Sequence, residues 1–390
     1  MAHSLGRLLR GWLLLPVLWS CSGEPQTATD GQDAPPRSPP DLILVLTPGL
    51  RADVTTPGAE QALFEGLGAL PWRRFTRAYA QSCSPHTSMG SLLTGLYPSA
   101  IPLCGSYAGD SLVPNSEESP WCSELPERRY TLPEVVELYG YTTAAWVPDP
   151  DVEGHTPWAA LGEQVGAWWQ EHEASPRLLV LSVLDLQLLQ FDPAIGFTAH
   201  DRQHDRKKVA LDTEAIRERY ETLARATGVA LGELLDELPQ GPGRDRVVAL
   251  TSTNGMNLAE ESGVRSDHLL AVTHSIIVDR TIHVPLALAG PGIEAGSDER
   301  LVELVDLLPT LSSLAGAVPP TGLPGSDLLL TEPLEPTPIA YAEFGDMLAL
   351  REGNHLLTFR YFLHNATSLD PRITEGLLEF SLNEPNFFTL

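Results

Sequence analysis

The sequence predicts an α/β fold: a doubly wound, mostly parallel sheet flanked by helices, with a small antiparallel C-terminal subdomain. Continuous apolar runs such as 42–46 and 178–184 are typical of strands that are buried on both faces of a sheet. Segments with helical spacing lie between these runs, which indicates parallel strands joined by right-handed crossovers. After Pro319, strand-like segments follow one another without helices between them, which indicates antiparallel pairing.

Each predicted element has its own residue pattern. Apolar runs predict strands at 42–46, 178–184, 247–251 and 284–289, and a further strand, 141–147, follows Gly140. Apolar residues at helical spacing predict helices at 60–70, 132–139, 158–173, 212–238 and 301–314. A shorter helix is predicted with Ser84 or Ser88 as N-cap and Gly95 just past its end. Turn-bounded segments predict the C-terminal strands 348–351, 355–362 and 377–382.

The composition indicates a folded and strongly acidic protein. The chain has 390 residues, of which 43% are hydrophobic, enough for the core of one large domain or two smaller ones. Asp and Glu number 51 against 25 Lys and Arg, which gives a formal net charge of −26. Because such a charge repels nucleic acid and anionic membrane surfaces, no nucleic-acid partner is expected.

The first residues have the pattern of a secretory signal peptide. Arg7 and Arg10 precede the apolar run 12–19, which is too short to span a bilayer as a helix. The run ends in Leu18-Trp19-Ser20-Cys21, which resembles a bacterial lipobox and implies cleavage before Cys21 and lipidation of its thiol. Ordinary secretion, with Cys21 as a free or paired thiol, is the alternative. We therefore expect an exported lipoprotein of the bacterial cell envelope, held to the membrane through Cys21.

Four regions follow from these patterns. We expect a signal peptide at 1–20, a flexible lipid-anchored tether at 21–40, the α/β domain at 41–318 and the antiparallel subdomain at 319–390.

Export also permits disulfides. Cys104 and Cys122 flank a loop rich in Gly, Ser, Pro and Asn and are the favoured disulfide pair. Cys83 is then the cysteine outside this pair, although the sequence alone does not fix the connectivity.

The segment 75–99 is the one around which the chemistry of the chain is organised. The turn before its predicted helix holds Cys83 and Pro85. A nucleophile at this turn would lie at a helix N-terminus, where free N–H groups and the helix dipole favour an anion. Such a position suits attack on a sulfate or phosphate ester.

This segment resembles the signature of the sulfatase family, in the alkaline phosphatase superfamily. In that family a Cys or Ser in C/S-x-P-x-R, followed by L-x-T-G, is converted to formylglycine. Cys83-Ser84-Pro85 matches the start of the signature, but Thr87 occupies the position where the modification signal needs Arg. When the alignment starts from Leu92-Leu93-Thr94-Gly95 instead, the nucleophile position falls on Pro85, which has no reactive group. Neither register completes the signature.

Further segments resemble sulfatase motifs in the same order along nearly all of the mature chain. They include counterparts of the two metal-binding segments and of the V-P-L, V-D-L-x-P-T-L and closing L-Y-D-L motifs. The matching ranges are 46–53, 132–147, 184–191, 247–255, 282–292, 305–316 and 378–385. The resemblance implies an alkaline phosphatase-like fold.

The resemblance also implies where a metal would be bound. Sulfatases hold a hard divalent cation, usually calcium, through carboxylate and amide oxygens, and the cation neutralises the ester and activates the nucleophile. The first Asp of the family falls on Pro48, which is followed by Gly49, and the Asp of the second segment falls on Thr253, beside Asn254. Because the anionic ligands are replaced, we expect no metal cofactor.

Other candidate site residues are polar and neutral. The His of the family's D-x-H motif falls on Gln187, and His274 lies near the family's His or Lys before V-P-L, one residue short in spacing. Gln187, His274 and Asn254 are therefore candidate ligand-binding residues, and a structural role is the alternative for His274. His200 and His204 are four residues apart, like a zinc pair on a helix, but no third ligand is evident and a solvated loop is favoured.

Three functional hypotheses follow. The leading one is a sulfatase-like pseudoenzyme that has lost metal-dependent hydrolysis of sulfuric esters and binds an anionic glycan or an envelope protein. The alternative is an active sulfate- or phosphate-ester hydrolase with a rebuilt site, with Cys83, Thr87 or Ser88 as nucleophile and calcium as cofactor. A purely structural envelope protein is the third. The first two differ in whether a source of positive charge meets the ester, and the motif segments contain no obvious replacement for the cation.

Overall fold

The computed structural model of the protein describes most of the chain between residues 38 and 382, and these residues belong to one compact unit that begins at Ser38. The described ranges are 38–52, 59–68, 70–101, 130–146, 158–183, 185–186, 213–258, 277–330, 339–344, 347–353, 355–360 and 379–382. The predicted signal peptide and most of the tether lie outside them, as do Cys104, Cys122, His200 and His204. The predicted boundary between residues 318 and 319 stays a prediction.

A seven-stranded sheet forms the body of the protein, in the order β3-β4-β1-β5-β6-β2-β7. The pairs β3–β4, β4–β1, β1–β5 and β2–β7 are parallel, whereas β6 is antiparallel to both of its neighbours. The prediction of a mostly parallel sheet is thus confirmed. The strands are β1 (Asp41–Leu46), β2 (Arg73–Tyr79), β3 (Thr142–Trp146), β4 (Arg177–Ser182), β5 (Arg246–Thr251), β6 (His283–Ala289) and β7 (Gly296–Glu303).

Helices cover both faces of this sheet, which confirms the doubly wound arrangement. Side chains alternate along β1, so that Ile43 and Val45 pack on one face with α1, α4 and α5, while Leu44 and Leu46 pack on the other with α2, α3 and α7. The helices are α1 (Ala59–Leu67), α2 (Pro85–Thr94), α3 (Leu132–Glu137), α4 (Trp158–Glu171), α5 (Thr213–Glu237), α6 (Asp279–Ile282) and α7 (Leu307–Leu314). No helix in the described part of the chain is long and apolar enough to cross a lipid bilayer.

A buried ion pair fixes the start of the central strand. Arg177, the first residue of β4, donates from its backbone N–H and its Nε to Asp41 Oδ1 at 3.0 and 3.1 Å, and from Nη2 to Asp41 Oδ2. Its guanidinium also lies 3.9 Å from the centre of the Trp169 ring. Both charged side chains are almost fully buried, so removing either one would leave a buried charge without its main partner.

Two strands near one edge of the sheet were missed from the sequence. β2 and β7 carry charged residues, such as Arg73, Arg74 and Asp298, and therefore lack an apolar run. The partial exposure of a sheet edge tolerates this composition. The predicted helix 301–314 is wrong at its start, because Leu301–Glu303 pair with β2 and only Leu307–Leu314 are α-helical.

The ends of α1 and α2 can be compared with the predicted ends. α1 ends at Leu67 rather than residue 70, because Gly68 adopts a φ of 80°. Gly95 adopts the left-handed conformation expected after α2, with a φ of 65°, so this helix stop is confirmed. Ser84 is the N-cap by position but makes no side-chain cap hydrogen bond, and Ser88 lies inside the helix.

A second, four-stranded antiparallel sheet forms the predicted C-terminal subdomain, in the order β11-β10-β9-β8. A hydrogen bond of 2.9 Å from Glu343 N–H to Gln81 O joins it to the segment after β2. An apolar cluster between the two sheets includes Tyr79, Ile282 and Met347. The strands are β8 (Ala340–Phe344), which was missed from the sequence, β9 (Met347–Glu352), β10 (His355–Arg360) and β11 (Glu379–Leu382).

Helices α1 and α5 pack at backbone contact because glycines lie at their crossing. A Cβ on Gly228 would lie 2.2 Å from the carbonyl oxygen of Leu63, and one on Gly66 would lie 2.7 Å from that of Arg225. Real Cβ atoms do not reach such distances, so a larger residue at either position would force the helices apart.

We expect Gly228→Ala to lower the free energy of unfolding by roughly 1–3 kcal/mol, because the added methyl group overpacks this crossing. Gly166→Ala in α4 is the matched control: nothing lies within 4 Å of its Cβ position, so the change should be neutral or stabilise by up to about 1 kcal/mol. Chemical denaturation of both variants measures the difference. Equal stabilities would contradict the packing described for α1 and α5.

Candidate functional site

The register of β1 and β5 brings the two predicted metal segments together. Leu46 lies opposite Thr251, so the segments 47–51 and 252–256 leave the sheet side by side at the same end, where the parallel strands β1 and β5 finish; this end is called the sheet edge of the site below. Thr47 N–H donates to Thr251 O at 2.9 Å, and Gly49 N–H donates to Asn254 O at 3.0 Å. Ligands in parallel sheets bind at the carboxyl ends of the strands, so this edge is the candidate functional site.

The side chains at the predicted ligand positions are turned toward their own backbone. Thr253 and Asn254 are almost fully buried. The Thr253 hydroxyl donates to Asn254 Oδ1 at 3.0 Å, and Asn254 Nδ2 donates to Gly255 O at 2.7 Å. Pro48 has no side-chain donor or acceptor, and Gly49 contributes only backbone.

This donor set does not fit a calcium ion. Calcium takes six to eight oxygen ligands and is bound tightly where several of them are carboxylates. The sheet edge offers one hydroxyl, one amide and backbone groups at these positions. Across the described ranges, no group of three or more His, Cys, Asp or Glu residues is placed to hold a metal ion.

Neighbouring residues hold the two segments rigidly. Ser252 Oγ donates to Thr47 O at 2.6 Å, while the Tyr220 hydroxyl donates to Gly49 O at 2.6 Å and accepts from Arg51 N–H at 3.0 Å. Gly255 is required sterically, because a Cβ there would lie 2.0 Å from Arg280 O. The site is thus built on fixed backbone.

The nucleophile turn is packed against apolar residues. Cys83 is fully buried and belongs to the cluster that fills the space between the two sheets, with Tyr79, Ile277 and Ile282. Pro85 begins α2. Apolar surroundings disfavour a thiolate, which is the reactive form of cysteine.

The hydroxyl candidates differ in exposure. Ser88 is fully buried, and its Oγ donates to Ser82 O at 2.7 Å and accepts from Ser82 N–H at 3.0 Å, so its hydroxyl has a structural role. Thr87 is partly exposed in the first turn of α2. Among the three candidate nucleophiles, only Thr87 has an accessible side chain.

Two predicted binding residues, Gln187 and His274, lie outside the described residues, and their predicted roles stay predictions. Asp185, which follows β4 at the same sheet edge, accepts a hydrogen bond of 3.3 Å from the Thr227 hydroxyl.

Sequence reasoning missed an acidic group that contacts residues on either side of the nucleophile turn and α2, namely Gln81 and Tyr97. Glu303 ends β7, and its carboxylate accepts hydrogen bonds from the Tyr97 hydroxyl at 2.8 Å and from Tyr341 N–H at 2.7 Å. Burial raises the pKa of Glu303 to about 7, and burial also raises the pKa of Asp306 to about 6. The sequence did contain one indication of this group, because two acidic residues, Glu303 and Asp306, interrupt the apolar run 301–308.

Known proteins resemble this chain in both sequence and fold. No protein-family model matches it. Human arylsulfatase K is 27% identical over 143 residues, which cover 36% of this chain and 25% of that protein. Arylsulfatase K of Danio rerio is 31% identical over 115 residues, which cover 29% and 21%. The matched stretch therefore spans about a quarter of the length of these curated relatives.

Solved structures extend the likeness over most of the chain. A 2-O GAG sulfatase has a TM-score of 0.60 at 16% identity, with 87% of this chain and 89% of that chain covered. The phosphonate monoester hydrolase of Agrobacterium radiobacter has a TM-score of 0.57 at 16% identity, with 82% and 87% covered. The chain is therefore similar in sequence to arylsulfatase K over about a third of its length, and it has the fold of these sulfatases and of the phosphonate monoester hydrolase.

Proposed function

We propose that this protein is a pseudoenzyme, a sulfatase-like protein that has lost metal-dependent hydrolysis of sulfuric esters. The observation that carries the proposal is the pair of buried side chains Thr253 and Asn254, which bond to each other and to the backbone at the positions of the family's metal ligands. Without a metal ion, this edge lacks the Lewis acid that would neutralise the oxygens of a sulfate ester and activate a nucleophile. The cationic side chain in these segments, Arg51, is buried and donates to Met256 O at 3.4 Å.

The nucleophile turn supports the same proposal. The thiol of Cys83 lies in an apolar cluster, and the hydroxyl of Ser88 is bonded to Ser82. The hydroxyl of Thr87 is accessible, but a threonine hydroxyl is a weak nucleophile unless a base or a metal activates it. These features oppose the alternative of a rebuilt hydrolase.

A sulfated sugar is the ligand class we propose for the remaining cleft. One protein with this fold is a 2-O GAG sulfatase, and another was solved in complex with D-glucosamine-2-N,6-O-disulfate. Binding without hydrolysis would need only hydrogen-bond donors and the cleft shape, both of which can outlast the loss of a metal. The overall charge of −26 opposes a long polyanion, so a short sulfated glycan is favoured.

The proposed location is the bacterial cell envelope, with the protein anchored to the membrane by a lipid on Cys21. The basic, apolar and Leu-Trp-Ser-Cys order at the N-terminus supports this proposal. One acyl chain gives only marginal membrane binding, whereas two or three acyl chains give a stable anchor.

We expect millimolar calcium to leave the melting temperature unchanged and the protein to turn over neither aryl sulfates nor aryl phosphates. A ligand at a hundredfold excess over its Kd raises the free energy of unfolding by about 2.7 kcal/mol, which raises the melting temperature by about 3 °C for a chain of this size.

Thr253→Asp with Pro48→Asp should make the melting temperature depend on calcium, because the two changes restore two carboxylates. Thr253→Asn with Pro48→Asn is the matched control, since it changes the same backbone positions without adding charge. Calcium-dependent stabilisation of the unmutated protein, with ester hydrolysis that a chelator abolishes, would overturn the proposal.

We expect Cys83 to remain an unmodified cysteine. Thr87 occupies the place of the Arg in the modification signal, and the thiol is buried. Peptide mass spectrometry should find the unmodified residue, and a thiol reagent should label it only after unfolding. A formylglycine mass at this position, or rapid labelling of the folded protein, would contradict the expectation.

We expect Cys21→Ala to release the protein from the membrane fraction, because it removes the proposed lipid attachment. Wild-type protein extracted only by detergent is the reference, and Cys83→Ala is a control that leaves the N-terminus intact. If the Cys21→Ala protein still fractionates with membranes, the lipid anchor is wrong.

A further inference from the structure

One carboxyl group joins three separate parts of the protein. Oε1 of Glu303 accepts from Tyr341 N–H at 2.7 Å and from Gln81 Nε2 at 3.2 Å, while Oε2 accepts from the Tyr97 hydroxyl at 2.8 Å. Tyr341 lies in β8 of the C-terminal sheet, Gln81 follows β2, and Tyr97 follows α2. Glu303 is therefore a shared acceptor for the main sheet, the C-terminal sheet and the segment after α2, beside the hydrogen bond from Glu343 N–H to Gln81 O and the ring contact between Tyr97 and Tyr341.

The groups around Glu303 are mostly acidic or neutral. Asp306 accepts Glu303 N–H at 2.8 Å, and the Tyr341 hydroxyl donates to Glu343 at 3.0 Å. Arg300, the nearest cation on β7, is bonded to Asp298. Within the described residues, Glu303 forms no salt bridge, so its charge is stabilised by neutral donors alone.

The hydrogen bonds of Glu303 can survive protonation. A protonated carboxyl keeps one oxygen as a pure acceptor, which suits Oε1 with its two N–H donors. The proton on Oε2 can then be donated to the Tyr97 oxygen, because a hydroxyl serves as donor or acceptor. Protonation thus removes a poorly solvated charge without breaking any of the three connections.

We propose that Glu303 is a proton-controlled latch: the joint is tightest when its carboxyl is protonated and loosens when the carboxyl ionises. The raised pKa of Glu303, about 7 instead of the usual 4.5, has burial as its main cause and agrees with this direction. Since opening the joint would hydrate the group and lower its pKa, the closed joint takes up a proton. Its extra stability is present below pH 4.5 and is lost as the pH rises through 7. The loosening would reach α2, and with it the candidate site.

Hydrogen exchange of the full chain from pH 5 to pH 8, corrected for the intrinsic rate, tests the latch. Protection of peptides covering 339–344 should fall by roughly tenfold to a hundredfold, since one pKa unit of difference corresponds to a tenfold change. Peptides covering β1 should change much less. Glu303→Gln mimics the protonated form and should remove the part of the pH dependence that is centred near pH 7, leaving only the part near pH 6 that comes from Asp306, whereas Glu343→Gln, the matched control, should retain both.

A second variant keeps the test valid if Glu303→Gln does not fold. Asp306→Asn removes a neighbouring negative charge that raises the pKa of Glu303, so the midpoint of the pH dependence should move to lower pH. An unchanged midpoint in this variant would overturn the latch. Full pH dependence in Glu303→Gln, or parallel loss of protection in β1 and 339–344, would overturn it equally, because either result assigns the effect to the whole protein.

Discussion

The ion pair between Asp41 and Arg177 is the contact on which the rest of the sheet depends. It joins the first residues of β1 and β4 inside the protein, where an unpartnered charge typically costs about 3–5 kcal/mol. Arg244 adds a second contact at 3.5 Å from Asp41 Oδ1. With its beginning fixed in this way, the fully buried strand β1 can adopt only one register between β4 and β5. Because the strand is six residues long, the register at one end determines the alignment at the other.

The opposite end of the same strands has a different chemistry. Where the segments 47–51 and 252–256 meet, Thr253 donates to the Asn254 side chain, which in turn donates to Gly255 O. Such an edge needs no cation to balance repelling carboxylates, so it can be rigid without a ligand. Because these polar groups are hydrogen-bonded, their burial costs little free energy.

The C-terminal sheet adds a further constraint. It packs on Tyr79 and Cys83 and therefore occupies space next to the nucleophile turn. Glu303, at the end of β7, makes one of its polar connections to the body, and the pairs Glu343–Gln81 and Arg351–Asp279 make others. A cysteine at the signature position and an acid at the end of an edge strand thus both act as parts of one interface.

The sequence by itself determined the fold class. Apolar runs at β1, β4 and β5 indicate buried strands, and apolar residues at helical spacing in α5 indicate a helix, because both patterns depend only on neighbouring residues. It also determined which side chains stand at the metal positions, because that follows from residue identity alone. Only the tertiary structure decided where the charged strands β2 and β7 pair, because their charged side chains, such as Arg73 and Asp298, find partners across the two strands rather than along the chain. Only the tertiary structure placed Cys83 in a core and Glu303 at a joint, because burial by residues that are distant in the chain leaves no local pattern.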